Sequence, residues 1–451
     1  MGFFRRSEKP EKSAPAPADA PAIDMDSVPA TSYTQSFRLS EPVKPRHEFK
    51  SYRLKGEYVQ PWIDDKRMKR TRFGNLIVYG MMFIALCLSG YITYDGANSA
   101  KTGEYCLVME DNFDRGGLDE SHWTHEVQMA GYGTGAFDWT TTDQKNSFTD
   151  SEGLHIVPTI TTESTDLTED QLLNGYSLNL TKSGGDGTCT SDDYLQCSIR
   201  SNASTGAILP PVRSARLSTK GKKSIRYGRI EVVAKMPRGD WLWPAIWMMP
   251  EDSKYGPWPA SGEIDIAELR GNSYEYPLGR DALTSTIHWG PTTKTDAYWS
   301  TYGHKFLRRT DYSKDFHTFG LQWSEDTMFM YLDNRMKQVF YMKFDDKRTM
   351  WDKGGFSGAT ANNSVIENPW KSTGRGNTPF DEKFYLILNV AVGAQNGWFF
   401  DGKNGKPWVD NGPTAARDFI KAKDQWLPTW GEGNDRGMTV KSVKMWQEGK
   451  C

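Results

Sequence analysis

Between Phe73 and Tyr94 the chain reads FGNLIVYGMMFIALCLSGYITY, a run without a single charge. As a helix it would span about 33 Å, enough for a hydrocarbon core of roughly 30 Å. No other segment is comparable, so the 451 residues divide into a stretch 1–72, a span 73–94 and a large part 95–451. The apolar region of a cleaved signal is shorter and nearer the N-terminus, and no small-residue cleavage site stands out before Asp95. The reading is a retained transmembrane helix. Lys66, Arg67, Lys69, Arg70 and Arg72 crowd its N-terminal side, whereas Asp95-Gly96-Ala97-Asn98 follows it. Positive-inside orientation predicts a single-pass type II protein with residues 1–72 in the cytoplasm and residues 95–451 in the secretory lumen or at the cell surface.

Residues 1–72 read as a disordered tail. Ser13 to Ala22 is Pro/Ala-rich, and no apolar period lasts long enough to bury a core. Gly2 follows Met1, but Arg6 stands where a myristoylation signal wants Ser or Thr. Residues 95–451 carry short alternating runs (Gly228 to Lys235, Thr284 to Trp289, Thr318 to Trp323, Thr327 to Leu332, Phe384 to Val392, Met438 to Gln447) between Gly, Pro, Asn and Asp clusters. That spacing predicts an all-β sandwich. The extra length falls in two polar insertions, Thr161 to Pro211 and Lys347 to Thr378, and no internal repeat is present.

One run breaks the apolar habit: Ser261-Gly262-Glu263-Ile264-Asp265-Ile266-Ala267-Glu268. In an extended strand Glu263 and Asp265 share a face, and strict alternation puts Ala267 rather than Glu268 beside them. A β-bulge returns Glu268 to the acidic face. Two glutamates so placed suit a retaining glycosidase, whose two carboxyls stand roughly 5 Å apart. The alternative is an edge strand whose solvated face carries three acids by chance.

The surroundings narrow the choice. Upstream are Tyr227-Gly-Arg-Ile-Glu-Val-Val-Ala-Lys-Met-Pro237 and Leu242-Trp-Pro-Ala-Ile-Trp247, and downstream is His288-Trp-Gly290. The order G-R-I-E-V-x-A-K-x-P, L-W-P-A-x-W, G-E-I-D-I-x-E, H-W-G closely resembles glycoside hydrolase family 16 on its laminarinase branch, whose members have the bulged form of the acid motif. The resemblance runs from about Tyr105 to Gln447. Within the family the chain is similar in texture to β-glucan recognition proteins, some of which have lost the catalytic glutamates and only bind, and to membrane-anchored fungal proteins associated with β-1,6-glucan synthesis. All three acids are present here.

The resemblance implies a β-jelly roll of two curved antiparallel sheets, one lining a sugar cleft. It implies Glu263 as nucleophile, Glu268 as general acid and then base, and Asp265 as modulator of charge between them. Repulsion among the three is expected to raise the pKa of Glu268 so that it holds a proton. Seventeen Trp, 20 Tyr and 21 Phe supply flat surfaces for glucan rings. Trp241, Trp243, Trp247, Trp258 and Trp289 bracket the acids. Trp243 and Trp247 match the family's L-W-P-A-x-W residues and are expected in the cleft, with the larger turnover effect at Trp247 because it is nearer the acids in sequence. Trp241 and Trp289 are candidates for substrate binding or core. His288 is a candidate to bond the acid/base carboxyl or the sugar, against a structural histidine, and Asn389 to reach the cleft, against packing on the inner sheet. Trp323 and Trp446 are assigned to the core.

Of five cysteines, Cys87 lies in the apolar span, which leaves Cys106, Cys189, Cys197 and Cys451 on the oxidising side. Three pairings are open. The short loop between Cys189 and Cys197 favours that bridge, leaving Cys106 to join Cys451, the two ends of a sandwich whose first and last strands are neighbours. The spacings match no zinc pattern, so no metal is expected. Sequons at Asn179, Asn202 and Asn362 lie on the lumenal side. No redox or nucleotide cofactor is implied, and a net charge of −2 gives no reason to expect nucleic acid. The expected function is a retaining endo-β-glucanase on β-1,3- or mixed β-1,3/1,4-glucan. The alternatives are a transglycosylase in wall β-glucan synthesis or remodelling, and a glucan-binding receptor without turnover.

Overall fold

The computed structural model describes residues 51–451 apart from residues 54, 100–102, 130 and 362–363. The chain divides into two units, Met1–Leu88 and Ser89–Cys451. The expected tail lies outside the described residues up to residue 50, and residues 51–65, apart from 54, hold a bend and a turn without helix or strand.

The apolar span is helical, but the helix runs over Lys66–Ser99, longer at both ends than the uncharged run. Lys, Arg and Met are good helix formers, and the Asp65 carboxylate accepts the Arg67 N–H at 2.9 Å, so the turn before Phe73 propagates rather than frays. The basic cluster therefore belongs to the helix and not to the tail. Phe73, Leu76, Phe83, Leu86 and Ile92 are all exposed, on every side of the helix. A helix that is apolar all round needs a hydrophobic surrounding. Among the described residues this is the one helix long and apolar enough to cross a membrane.

Residues 105–448 build two eight-stranded sheets in which every pairing is antiparallel. One runs in the order Gln338–Lys343, Thr327–Leu332, His317–Trp323, Gly228–Lys235, Met438–Glu448, Gly153–Ile156, Ser147–Asp150, with Tyr105–Asp111 also paired to Met438–Glu448. The other runs Tyr302–Phe306, Ala282–His288, Glu263–Glu268, Leu242–Pro250, Phe384–Val392, Arg216–Ser218, Thr124–His125, with Ser224–Ile225 also on Phe384–Val392. Ile230, Val232 and Ala234 from the first and Ile246, Ile264 and Leu388 from the second are fully buried in one apolar cluster. This is the all-β sandwich that the alternating runs predict. Gly228, where the first long strand begins, has φ +146°, and a Cβ there would stand 1.9 Å from the Trp446 carbonyl oxygen, so only glycine lets these strands meet.

Cys106–Cys451 and Cys189–Cys197 are both bridged, and the first strand pairs with the last through Cys106 opposite Gln447. The insertion from Thr161 to Pro211 is less polar than its composition suggests. It holds three short helices and a hairpin, Ser177–Asn179 with Ser198–Arg200, over side cores of Leu172, Ile208 and Leu209 and of Leu180 with the Cys189–Cys197 bridge. Asn202 is exposed. Asn179 is half-buried with its side-chain oxygen accepting from Thr181, and Asn362 lies outside the described residues.

Candidate active site

The three acids come together through a bulge. Against Leu242–Pro250 the register is Ile246 to Ala267 and then Trp247 to Asp265, and against Ala282–His288 it is Asp265 to Thr286 and then Glu268 to Thr284. Each partner strand advances less than the acid strand, and the extra residue is Ile266. Ile264, Ile266 and Ala267 enter the core while Glu263, Asp265 and Glu268 share the outward face. Strict alternation would have turned Glu268 inward.

Each acid has a specific neighbour. The Trp258 indole N–H donates to Glu263 Oε2 at 2.5 Å and the Trp243 indole N–H to Glu268 Oε1 at 3.1 Å. His288 Nδ1 lies 2.6 Å from Asp296 Oδ2, and its Nε2 lies 3.4 Å from Asp265 Oδ2. Asp265 and Glu268 are 2% and 8% exposed. Burial first, and then the charge of Glu263, push the Glu268 carboxyl up to about 7, against the opposing effects of His288 and the Trp243 hydrogen bond. The larger cause is thus burial, not the repulsion that the clustering alone suggests. Asp265 is raised well above the usual carboxylate range by burial and then by Glu263 and Glu268. For His288 burial opposes the charge, but the Asp296 hydrogen bond and the Glu263 carboxylate outweigh it and raise its pKa to about 9.

Glu263, Asp265 and His288 offer ligand atoms within 4.8 Å of one another, the geometry of a cation site. The donor set fits one poorly. The Asp296 hydrogen bond and the neighbouring carboxylates favour a proton on His288, and a metal would have to displace that proton to use the imidazole as a ligand.

The tryptophans divide by strand parity. Trp243 and Trp247 lie on the acids' face. The Trp243 ring stacks on Trp398 at 4.7 Å, and Arg270 lies 3.8 Å over the other ring of that pair while donating to the Trp398 carbonyl. Trp247 donates its indole N–H to Asn389 Oδ1 at 2.7 Å and lies under the Arg216 guanidinium, which also covers Tyr132 at 3.9 Å and meets Glu126 at 2.6 Å. So Trp243, farther from the acids in sequence, is the one bonded to Glu268. Asn389 shares this face and orients Trp247.

Trp241 and Trp289, candidates for substrate contact, are corrected to the core. Trp241 precedes the strand with φ +68°, which turns its side chain away from Trp243 and into Tyr276, Phe399 and Trp408. Trp289 follows outward-facing His288, so alternation turns it inward, where its N–H donates to Thr301. Trp446 is corrected the other way. Met445 points in, so Trp446 faces out, half-buried, with Arg229 4.1 Å above its ring. Trp323 is buried as expected.

Sequence reasoning gave no site role to Trp258, Arg270, Asp296 or Trp398. Trp258 lies only five residues before Glu263, but its tie to that carboxylate depends on the turn that ends in the hydrogen bond from Gly262 to Pro259. Arg270 and Trp398 are 128 residues apart in the chain, and no local pattern joins them. A polar cavity of about 590 Å³, lined by Arg238, Asp240, Glu275 and Arg280 among others, does not include the acids.

Residues 133–352 match the family described as glycosyl hydrolases family 16. The chain is also 42% identical over 348 residues, 76% of its own length and 90% of the other's, to a beta-1,3-glucan-binding protein of Penaeus monodon. The chain belongs to glycosyl hydrolases family 16. A second relative is a glucan endo-1,3-beta-glucosidase of Cryptopygus antarcticus, 38% identical over 221 residues, which are 48% of this chain and 67% of that one. Among solved structures, the laminarinase from Rhodothermus marinus matches at 23% identity and a TM-score of 0.45, covering 78% of this chain and 100% of that one. The relatives of this chain include a protein named for glucan binding and a protein named for glucan cleavage.

Proposed function

We propose that this family 16 protein is a retaining endo-β-glucanase acting on β-1,3- or mixed β-1,3/1,4-glucan. The observation that carries the reading is the bulge at Ile266, which sets Glu263 and Glu268 on one face while burial holds Glu268 near pKa 7. Glu263 attacks the anomeric carbon and Glu268 gives its proton to the leaving glycosidic oxygen, leaving a glycosyl-enzyme. The Glu268 carboxylate then takes a proton from water, whose oxygen displaces Glu263 and yields a β product. Asp265 and protonated His288 keep the charge between the two glutamates in balance.

If a sugar hydroxyl replaces water in the second step, the same residues perform transglycosylation. A reading without turnover draws support from the 42% identity to a protein named for binding. Incubating the full-length chain with laminarin oligosaccharides separates the three: new reducing ends mean hydrolysis, products longer than the substrate mean transfer, and binding with neither means a receptor. An α anomer as first product, seen by proton NMR, excludes double displacement.

We further propose that the Lys66–Ser99 helix anchors the protein as a type II membrane protein with its glucan-active part lumenal or extracellular, on the strength of its apolar surface and the basic cluster at its start. Endoglycosidase should then lower the apparent mass, through Asn202 first. Protease outside sealed microsomes should remove only the N-terminal tail. A glycan-free, protease-exposed C-terminal part overturns this orientation.

A further inference from the structure

The strand Tyr302–Phe306 ends the acid-bearing sheet, and edge strands are ordinarily kept short, charged or covered because their open backbone invites pairing. Here the edge carries aromatics. Tyr298, Trp299, Tyr302 and Phe306 are 48, 66, 53 and 47% exposed, a cluster within one short segment rather than single scattered side chains.

Register ties this cluster to the acids. Trp247 pairs with Asp265, Asp265 with Thr286, and Thr286 with Tyr302, so Tyr302 ends the cross-strand row that runs through the middle acid. Glu268 pairs with Thr284 and Thr284 with His304, and Phe306, opposite Ala282, stands on the same face. Beside the strand, Tyr298 stacks on His288 at 5.2 Å and 26°. The edge is also held in place. A Cβ on Gly303 would lie 2.0 Å from the Val339 carbonyl oxygen of the other sheet, so this strand presses onto its neighbour as only glycine permits, and its aromatics stand outward on a fixed backbone.

We propose that Trp299, Tyr302 and Phe306, continued from His288 by Tyr298, form a stacking platform for a β-glucan chain, extending the binding face past the acids on the side away from Trp247. The proposal rests on the glucan reading above and adds a second, more distant contact region to it. Flat exposed rings match the apolar C–H faces of β-linked glucose, whose equatorial hydroxyls remain in water. Strands stand about 4.8 Å apart, so Tyr302, three strands from Trp247, lies about 14 Å away along that row, and a polymer covers the platform more fully than a short oligosaccharide seated at the acids. The platform therefore selects for chain length.

The experiment uses the full-length chain carrying Glu263→Gln, so that bound glucan is not cleaved, and titrates laminarin polymer and laminaritriose in turn. Adding Trp299→Ala, Tyr302→Ala and Phe306→Ala together should weaken polymer binding about tenfold and the trisaccharide markedly less. Tyr302→Phe with Phe306→Tyr, which keeps both rings, should retain polymer affinity. Equal loss on both ligands, or no loss on the polymer, overturns the platform. Exposed Arg308 and Arg309 nearby make a lipid surface the rival. Loss of binding to phosphatidylserine vesicles with laminarin affinity intact therefore also overturns it. If Glu263→Gln with an intact platform binds no laminarin at all, the glucan reading itself has failed, a result distinct from the other outcomes.

Discussion

The two sheets present their outward faces in opposite ways. On Gly228–Lys235 the outward residues are Arg229, Glu231, Val233 and Lys235, and the Arg229 and Glu231 side chains keep about a quarter to a third of their surface in water. On Glu263–Glu268 the outward residues are three acids, two of them almost fully buried beneath Trp243, Trp258 and His288. Both strands alternate in the same manner, but a charge on the first face is solvated and a charge on the second is desolvated. That difference turns a surface carboxylate into a group that holds a proton near neutrality.

The contrast fails at its strongest point if an acid of the second face can be neutralised without effect. Glu263→Gln should lower turnover on laminarin by more than about a thousandfold and Glu268→Gln by roughly 10²–10⁴-fold, with the circular dichroism spectrum unchanged. Glu231→Gln on the solvated face, where the carboxylate accepts from the Tyr331 hydroxyl and lies 3.8 Å from Arg229, should leave turnover near the parent value. A large loss at Glu231, or a small one at Glu263, breaks the distinction.

Tryptophans test the same contrast through stability. Trp241→Ala empties a fully buried site among Tyr276, Phe399 and Trp408 and should cost about 3–5 kcal/mol in denaturant unfolding. Kinetics that change with no loss of stability would return Trp241 to the cleft.

The pH dependence sharpens it further. With Glu268 as the acid and its pKa near 7, kcat should fall on the alkaline side of about pH 7. Trp243→Phe removes a hydrogen bond that favours the charged carboxylate, so the alkaline limb should move to higher pH. The folded-state pKa of Glu268 lies above its ordinary 4.5, so the unfolded chain binds fewer protons and stability falls as pH rises from about 4.5 to about 7. Glu268→Gln should flatten that part of the pH–stability curve. An unchanged slope would mean that burial does not raise this carboxyl.

Trp446→Ala gives the smallest effect. Its ring is half-exposed under Arg229, and loss of that contact should cost less than about 1 kcal/mol and leave kcat unaltered.

Alternation and spacing in the sequence were enough for the sandwich, its long strands, the helical span and the bulge, because each depends on residues within one strand or helix. Gly228–Lys235, Thr327–Leu332 and Phe384–Val392 have the limits that their patterns predict. Of the two disulfides, Cys189–Cys197 followed from local reasoning, a short loop, and Cys106–Cys451 from the expected meeting of the first and last strands in a sandwich. The fate of individual tryptophans did not. Trp241 is two residues from Trp243, and a left-handed φ sends it to the opposite side of the sheet. The groups that hold the acids' neighbours in place were likewise beyond the sequence. Asp296 on His288, Trp398 on Trp243 and Asn389 on Trp247 come from loops and strands that only the folded sheets bring together, and they decide which side chain is buried, which is charged and which way each ring is turned. The sequence by itself determined which groups this protein has for its chemistry and on which strand they lie. Tertiary structure alone decided their ionisation and orientation, because both depend on the solvent excluded and the dipoles supplied by distant parts of the chain.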